Sequence, residues 1–301
     1  MKVDGKLAKG IEGGGFLLTA EYLPQRSADG SAVKAAGSLL DGKLAAVNAA
    51  DNPFGIGMSS LAASVIMGDA GIEPVYQIVT RDRNRIAIQS DLLGAASLGI
   101  KNVLCLSGYH QRLTGCAEAA NVYDIDSIQL ISAVKTLSEQ GILLDGKKVD
   151  GEFSMLPGAA ANPDLRPLEL NILRLAKKVE AGAAFIQTQA VFDVDSFGEW
   201  LAAACVEGIT DKTAILAGVM PLSSAAEAVE LSETFTDFNI PDGVIERLKA
   251  AGDEEAQKAE GAKICVEIIH SIQGMEGLRG IHIVSGGNEA IVPQVLSAAG
   301  L

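Results

Sequence analysis

FLLTAEYLPQR (residues 16–26) carries an apolar run straight into a glutamate, and a Pro-Gln-Arg turn follows at once. A run with no polar alternation is how a strand covered on both faces reads, as in a parallel sheet. Glu21 then falls at the C-terminal end of that strand, the side on which α/β folds gather their functional groups. From this stretch alone, a catalytic carboxyl and a solvated loop carboxylate stand on equal terms.

Working outward, the same grammar recurs. Short apolar runs at 16–23, 44–49, 74–80, 102–107, 153–156, 184–190, 213–220 and 280–285 predict strands. Helical patterns follow each one, at 32–40, 60–68, 84–98, 127–139, 167–181, 196–207, 224–235 and 290–298. Eight β-then-α units in 301 residues predict an α/β chain folded as a (β/α)8 TIM barrel. An open doubly wound sheet would need a Gly-rich phosphate turn after an early strand, and no GxGxxG follows the first one. Residues 241–273 read as two extra helices before the eighth strand, with Asp253 placed to cap the second. One domain over 1–301 is the economical expectation, with 1–15 a loose glycine-rich lead-in.

A composition 48% hydrophobic and 21% charged supports a large buried core. The net charge of −14 argues against nucleic acid or an anionic membrane as a general partner. The N-terminus holds neither a signal-peptide core nor a membrane anchor, so no membrane insertion is expected. Cys105, Cys116, Cys205 and Cys265 lack CxxC spacing, which disfavours a zinc site and a disulfide framework and fits a reducing cytoplasm. Apolar faces on outer helices leave room for a homo-oligomer.

The strand ends collect Glu21, Asn48, Gln77 to Thr80, Ser107 to His110, Pro157, Gln187 to Gln189, and Ser285 to Asn288. Gln187 and Gln189 share a face by the two-residue period and need partners if they point inward. Gln187 is better read as a structural bridge, and Gln189 as a group able to recognise an amide-rich heterocycle. Lys177 and Lys178 suit a helix C-terminus or a phosphate. His110 follows the fourth strand, whereas His270 and His282 read as packed or surface residues. No clustered metal signature, GxSxG elbow or Cys–His pairing appears. Arg81, Arg83 and Arg85 read either as a solvated helix start or as local relief from the acidic surface.

The segments TAEYLP, PDLRPLELNILRLAKKVEAGAAFIQTQAVFDVDSF, GVMPLSS and PDGVIERLKAAGDEEAQKAEGAKICVEII, in this order, resemble the methylenetetrahydrofolate reductase family. That resemblance implies FAD in a barrel, a reduced nicotinamide as electron donor, and a small-molecule folate substrate in one-carbon metabolism and methionine biosynthesis. It implies Glu21 as the general acid and Gln189 as a pterin contact. It further implies Asn171, Arg174 and Lys178 around the FAD phosphates and ribose, and Asn48, Gln77, Ser107, Gly108 and Tyr109 at flavin-contact positions.

Departures accompany the likeness. Tyr109 stands where the family commonly has an aspartate, Gln77 where a histidine is frequent, and Asn288 where an arginine often meets the folate. VNAADNP and PGAAANP also lack familiar contacts. The resemblance implies a small reductase of the type found in anaerobes, without a regulatory domain and working alone or with a partner subunit supplying electrons. The departures keep two alternatives open, a folate-binding methyltransferase-like protein and an inactive partner subunit of a one-carbon complex.

Overall fold

The computed structural model describes residues 3–40, 42–235 and 238–301. Eight parallel strands close on themselves in sequence order: β1 (Leu17–Tyr22), β2 (Ala46–Ala49), β3 (Pro74–Val79), β4 (Asn102–Leu106), β5 (Leu156–Ala161), β6 (Phe185–Ala190), β7 (Ala214–Val219) and β8 (Leu278–Ile283). The helices are α1 (Lys6–Glu12), α2 (Ser31–Leu40), α3 (Ser60–Asp69), α4 (Arg85–Ser97), α5 (Ser127–Gln140), α6 (Leu168–Ala181), α7 (Val194–Val206), α8 (Ala225–Thr234), α9 (Asp242–Ala251), α10 (Glu254–Ile272) and α11 (Ile291–Ala298). This is the expected (β/α)8 barrel with two helices, α9 and α10, inserted before β8.

The alternation of side chains divides the core in two. Outward residues such as Ala20, Val47, Ile78, Val103, Ile186 and Ile281 pack under the helices. Inward residues Leu17, Ala46, Val75, Leu104, Leu156, Phe185, Ala214 and Leu216 fill the lower half of the barrel. Helix α1 covers the N-terminal end of that inner layer: Val3, Leu7 and Ala8 are buried against it, with Leu7 at 0% exposure. The expectation of a loose lead-in is therefore corrected, while Met1 and Lys2 lie outside the described residues. A seven-residue helix is marginal alone. The Glu73 carboxylate accepts from the backbone N–H groups of Lys6 and Leu7, and Asn102 Nδ2 donates to the same carboxylate. A charge at the helix N-terminus satisfies donors that the helix cannot.

The fifth strand also differs from expectation. The run at 153–156 is not the strand; Phe153 and Met155 are buried beneath α5, where Ser138 Oγ bonds the Met155 backbone. The strand is LPGAAA, whose Pro and Gly disguise it. Gly158 is there for space, since a Cβ would lie 2.2 Å from the Phe185 ring. Asp253 caps α10 by accepting from Ala256 N–H at 3.0 Å. Gly261 lets α10 approach the β7–α8 loop, because a Cβ would meet Leu222 O at 1.8 Å.

Candidate active site

A cavity of about 290 Å³ opens at the C-terminal ends of the strands. Glu21, the last inward residue of β1, lines it and is half-buried. Gln77 Nε2 donates to Glu21 Oε2 at 2.8 Å. Burial pushes the Glu21 carboxyl above its ordinary range, the Gln77 bond pulls it back, and the charge of Glu289 pushes it up again. Ser285 Oγ donates to Glu21 O and borders Glu289 Oε1, so the end of β8 fixes the end of β1. The arrangement suits a proton donor held by one oxygen and free to act through the other.

Below Glu21 lies a polar layer between the cavity and the apolar lower half. Asn48 and Gln187 exchange two amide hydrogen bonds, of 2.6 and 3.1 Å. Gln187 Nε2 lies 3.2 Å from His282 Nδ1 and 3.3 Å from Thr19 Oγ1, and Thr19 Oγ1 lies 2.9 Å from His282 Nδ1. Burial drives the His282 imidazole down to about 3, so it is neutral at pH 7. Gln187 thus bridges strands, as its inward face requires. Asn48 is consumed in the same pairing and is not among the residues lining the cavity.

Gln189 sits at an irregularity between β6 and β7, where the register shifts between Gln187 and Ala190. Thr188 Oγ1 takes the ladder's place by accepting from Gly218 N–H at 2.8 Å. Such bulges re-aim a side chain; here Gln189 lines the cavity and its Nε2 donates to Tyr109 Oη at 3.3 Å. Ser107, Gly108 and Tyr109 form the facing wall. Gly108 has φ +84°, and a Cβ there would press on Val79 and Arg81 at 3.2 Å. The Tyr109 ring packs on Phe235 with centroids 4.7 Å apart, and Phe235 meets Phe54 at 5.6 Å and Phe238 at 6.2 Å. Phe54 and Phe238 complete the apolar side of the mouth.

Arg174 and Lys178, one turn apart on α6, supply the cavity's basic end, beside Ser127 at the start of α5. Lys178 Nζ donates to Ala160 O. The exposed Arg174 side chain bonds no described residue. Two cations beside a helix N-terminus make a place for an anion such as a phosphate. Asn171 does not reach the cavity: it is buried, and its Nδ2 ties down Asn162 O and Leu165 O of the β5–α6 loop. Asn288 is exposed and also outside the lining.

Of Arg81, Arg83 and Arg85, only Arg85 is a solvated helix start, exposed at the first position of α4, and all three are engaged by carboxylates. Arg81 pairs with Asp82, Arg83 with Asp51 and Asp91, and Arg85 with Asp124. His110 caps a short turn through Nδ1 and engages Asn121 through Nε2, away from the cavity. Helices α9 and α10 contribute no lining residue. Among the lining groups not anticipated are Asp51, Phe54, Phe238 and His282. His282 carried a usable signal, because it alternates with Gly280 and Val284 on an apolar strand. Phe54 and Phe238 sit in loops, where periodicity is silent. Among the described residues, no cluster of three or more His, Cys, Asp or Glu could hold a metal, and no helix is long and apolar enough to cross a membrane.

Comparison with known proteins agrees with this geometry. The chain is 22% identical over 248 residues to a probable methylenetetrahydrofolate reductase (NADPH) of Caenorhabditis elegans, covering 81% of this chain and 34% of that protein. It is 24% identical over 223 residues to the 5,10-methylenetetrahydrofolate reductase of Salmonella typhimurium, covering 73% and 68%. For the Escherichia coli enzyme of the same name, identity is 25% over 185 residues, covering 61% and 55%. The match thus spans from a third to two thirds of these relatives' lengths. A Clostridium thermocellum protein described as binding two copies of 5-methyl-5,6,7,8-tetrahydrofolic acid shares the fold, with TM-score 0.64, 12% identity and 97% coverage of both chains. The family model for methylenetetrahydrofolate reductase matches residues 6–300, and the chain belongs to that family.

Proposed function

We propose that the protein reduces 5,10-methylenetetrahydrofolate to 5-methyltetrahydrofolate. The observation that carries this reading is Glu21: a strand-end carboxyl with a raised pKa, held by Gln77, at the edge of a cavity able to take a ring. The reaction needs a proton on a folate nitrogen so that the five-membered ring opens to a reducible iminium. A carboxyl that keeps its proton toward neutral pH can deliver it. Gln189, aimed into the cavity by the β6 irregularity, offers an amide to the donor–acceptor edge of a pterin. Folate binding by a neighbour of the same architecture supports such a ligand here.

The residues present also fit FAD. The observation is the Arg174 guanidinium, which bonds no described residue, next to Lys178 at the cavity's basic end, suited to phosphates, beside the open face of Ser107, Gly108 and Tyr109. A flavin bound there would supply hydride and be re-reduced by a nicotinamide. Tyr109 favours one alternative, folate binding without redox chemistry. An aspartate would steady a developing cation, while a phenol offers a stacking face and one hydrogen bond.

The visible spectrum of the purified, FAD-reconstituted protein decides. A stoichiometric flavin band, bleached by NADH or NADPH and restored by methylenetetrahydrofolate, is expected. Folate binding with no flavin band would replace the reductase by the non-redox reading.

A further inference from the structure

The polar layer beneath Glu21 leaves one ring nitrogen unused. Thr19 and His282 are paired neighbours on β1 and β8, and both point into the barrel. Thr19 Oγ1 lies 2.9 Å from His282 Nδ1 and 3.4 Å from Ile281 O, so its hydroxyl is within reach of either acceptor. The Gln187 amide nitrogen also faces Nδ1, at 3.2 Å, in the orientation in which Gln187 and Asn48 exchange two amide bonds. An amide N–H facing Nδ1 avoids a donor–donor clash only where Nδ1 accepts, and the Thr19 hydroxyl then donates to Nδ1 as well. A neutral imidazole with Nδ1 as acceptor carries its proton on Nε2. Nε2 has no partner among the described residues, and the ring, 4% exposed, borders the cavity.

The next inward residues above this layer are Glu21 on β1 and Gln189 on β6. Those two residues are the proposed pterin contacts, and Gln189 also meets Tyr109 of the facing wall.

We propose that His282 is a further ligand-positioning residue, whose Nε2–H donates from the cavity floor to an acceptor atom of the pterin ring, a carbonyl oxygen or an unprotonated nitrogen. Thr19, Gln187 and Asn48 are positioning residues that fix its tautomer. The donor follows from the geometry alone; its pterin partner rests on the proposed function.

The test uses the full chain labelled with ¹⁵N-histidine. Only three histidines are present, and loss of a signal in His282→Gln assigns the one of interest. At pH 7 the free protein is expected to show the Nε2–H tautomer at His282, and 5-methyltetrahydrofolate to shift that Nε2 resonance. His282→Phe is expected to weaken 5-methyltetrahydrofolate about tenfold, the loss of one hydrogen bond, while His282→Gln, which keeps an N–H at the same reach, stays within about threefold. Gln187→Glu sets a carboxylate against Nδ1, and is expected to draw the proton there and weaken binding similarly. An Nδ1–H or doubly protonated ring in the free protein overturns the proposal. So does folate binding with no Nε2 shift, or a shift on adding FAD but not the folate. If the native protein binds no folate, the proposed function fails and the pterin assignment falls with it; the tautomer of the free protein separates that result from a wrong donor.

Discussion

At Glu21, the desolvation that would serve the proposed proton transfer works against stability. The acid form is the one that donates, so turnover should fall as pH rises through the raised pKa. Glu21→Gln should abolish methylenetetrahydrofolate reduction in a stopped-flow assay while leaving flavin content unchanged; retained turnover would remove Glu21 from the role. The same shift has a stability consequence with a definite sign. A carboxyl whose pKa is higher folded than unfolded contributes stability below the unfolded value near 4.5 and loses it as pH rises through the folded value. Glu21→Gln should therefore melt higher than wild type at pH 8, with the difference shrinking toward pH 4.5 in parallel calorimetric scans. Tyr109→Phe keeps the ring on Phe235 but removes the hydroxyl that accepts from Gln189. It should weaken folate binding by about 3- to 10-fold in titration calorimetry.

At the scale of elements, the packed positions make the sharpest claims. Leu7→Ala in α1 should lower unfolding free energy by about 2–5 kcal/mol, the range for emptying a fully buried leucine site, with the denaturant midpoint as the measure. Gly158→Ala in β5 should destabilise by about 1–3 kcal/mol, because its methyl meets the Phe185 ring. These two elements are also where the sequence was least legible. Helix α1 is short and glycine-flanked, and its stability comes from Glu73 and the barrel floor, which no local pattern announces. Strand β5 contains the two residues that most reliably end strands, tolerated because Phe185 fills the space left by one of them. The other seven strands were readable because each is a both-faces-buried apolar run between turns. Within the site, Glu21, Gln77, Gln189 and Lys178 were legible from strand-end position or motif. The partners of Asn48 and Asn171 were not, since a buried amide declares its need for hydrogen bonds and not where it finds them.

For the whole molecule, ligand binding should act on a single cooperative barrel. A folate held at 100-fold over its Kd adds about 2.7 kcal/mol, enough to raise Tm by several degrees, and Lys178→Ala with Arg174→Ala should erase the corresponding shift produced by FAD but keep most of that from folate. Scanning calorimetry with each ligand separates the two; equal loss for both would dissolve the division between the basic end of the cavity and the proposed pterin contacts. The cap on α1 has a further consequence, in the order of events during synthesis. Lys6 leaves the ribosome 67 residues before Glu73, and Ile11 leaves 268 residues before Arg279, whose guanidinium donates to its carbonyl. A helix this short cannot hold itself together in the meantime. The segment that seals the barrel therefore emerges early and waits, unstructured, until nearly all the rest has been made, and nascent chains halted before β8 should expose it to proteases that the finished protein resists.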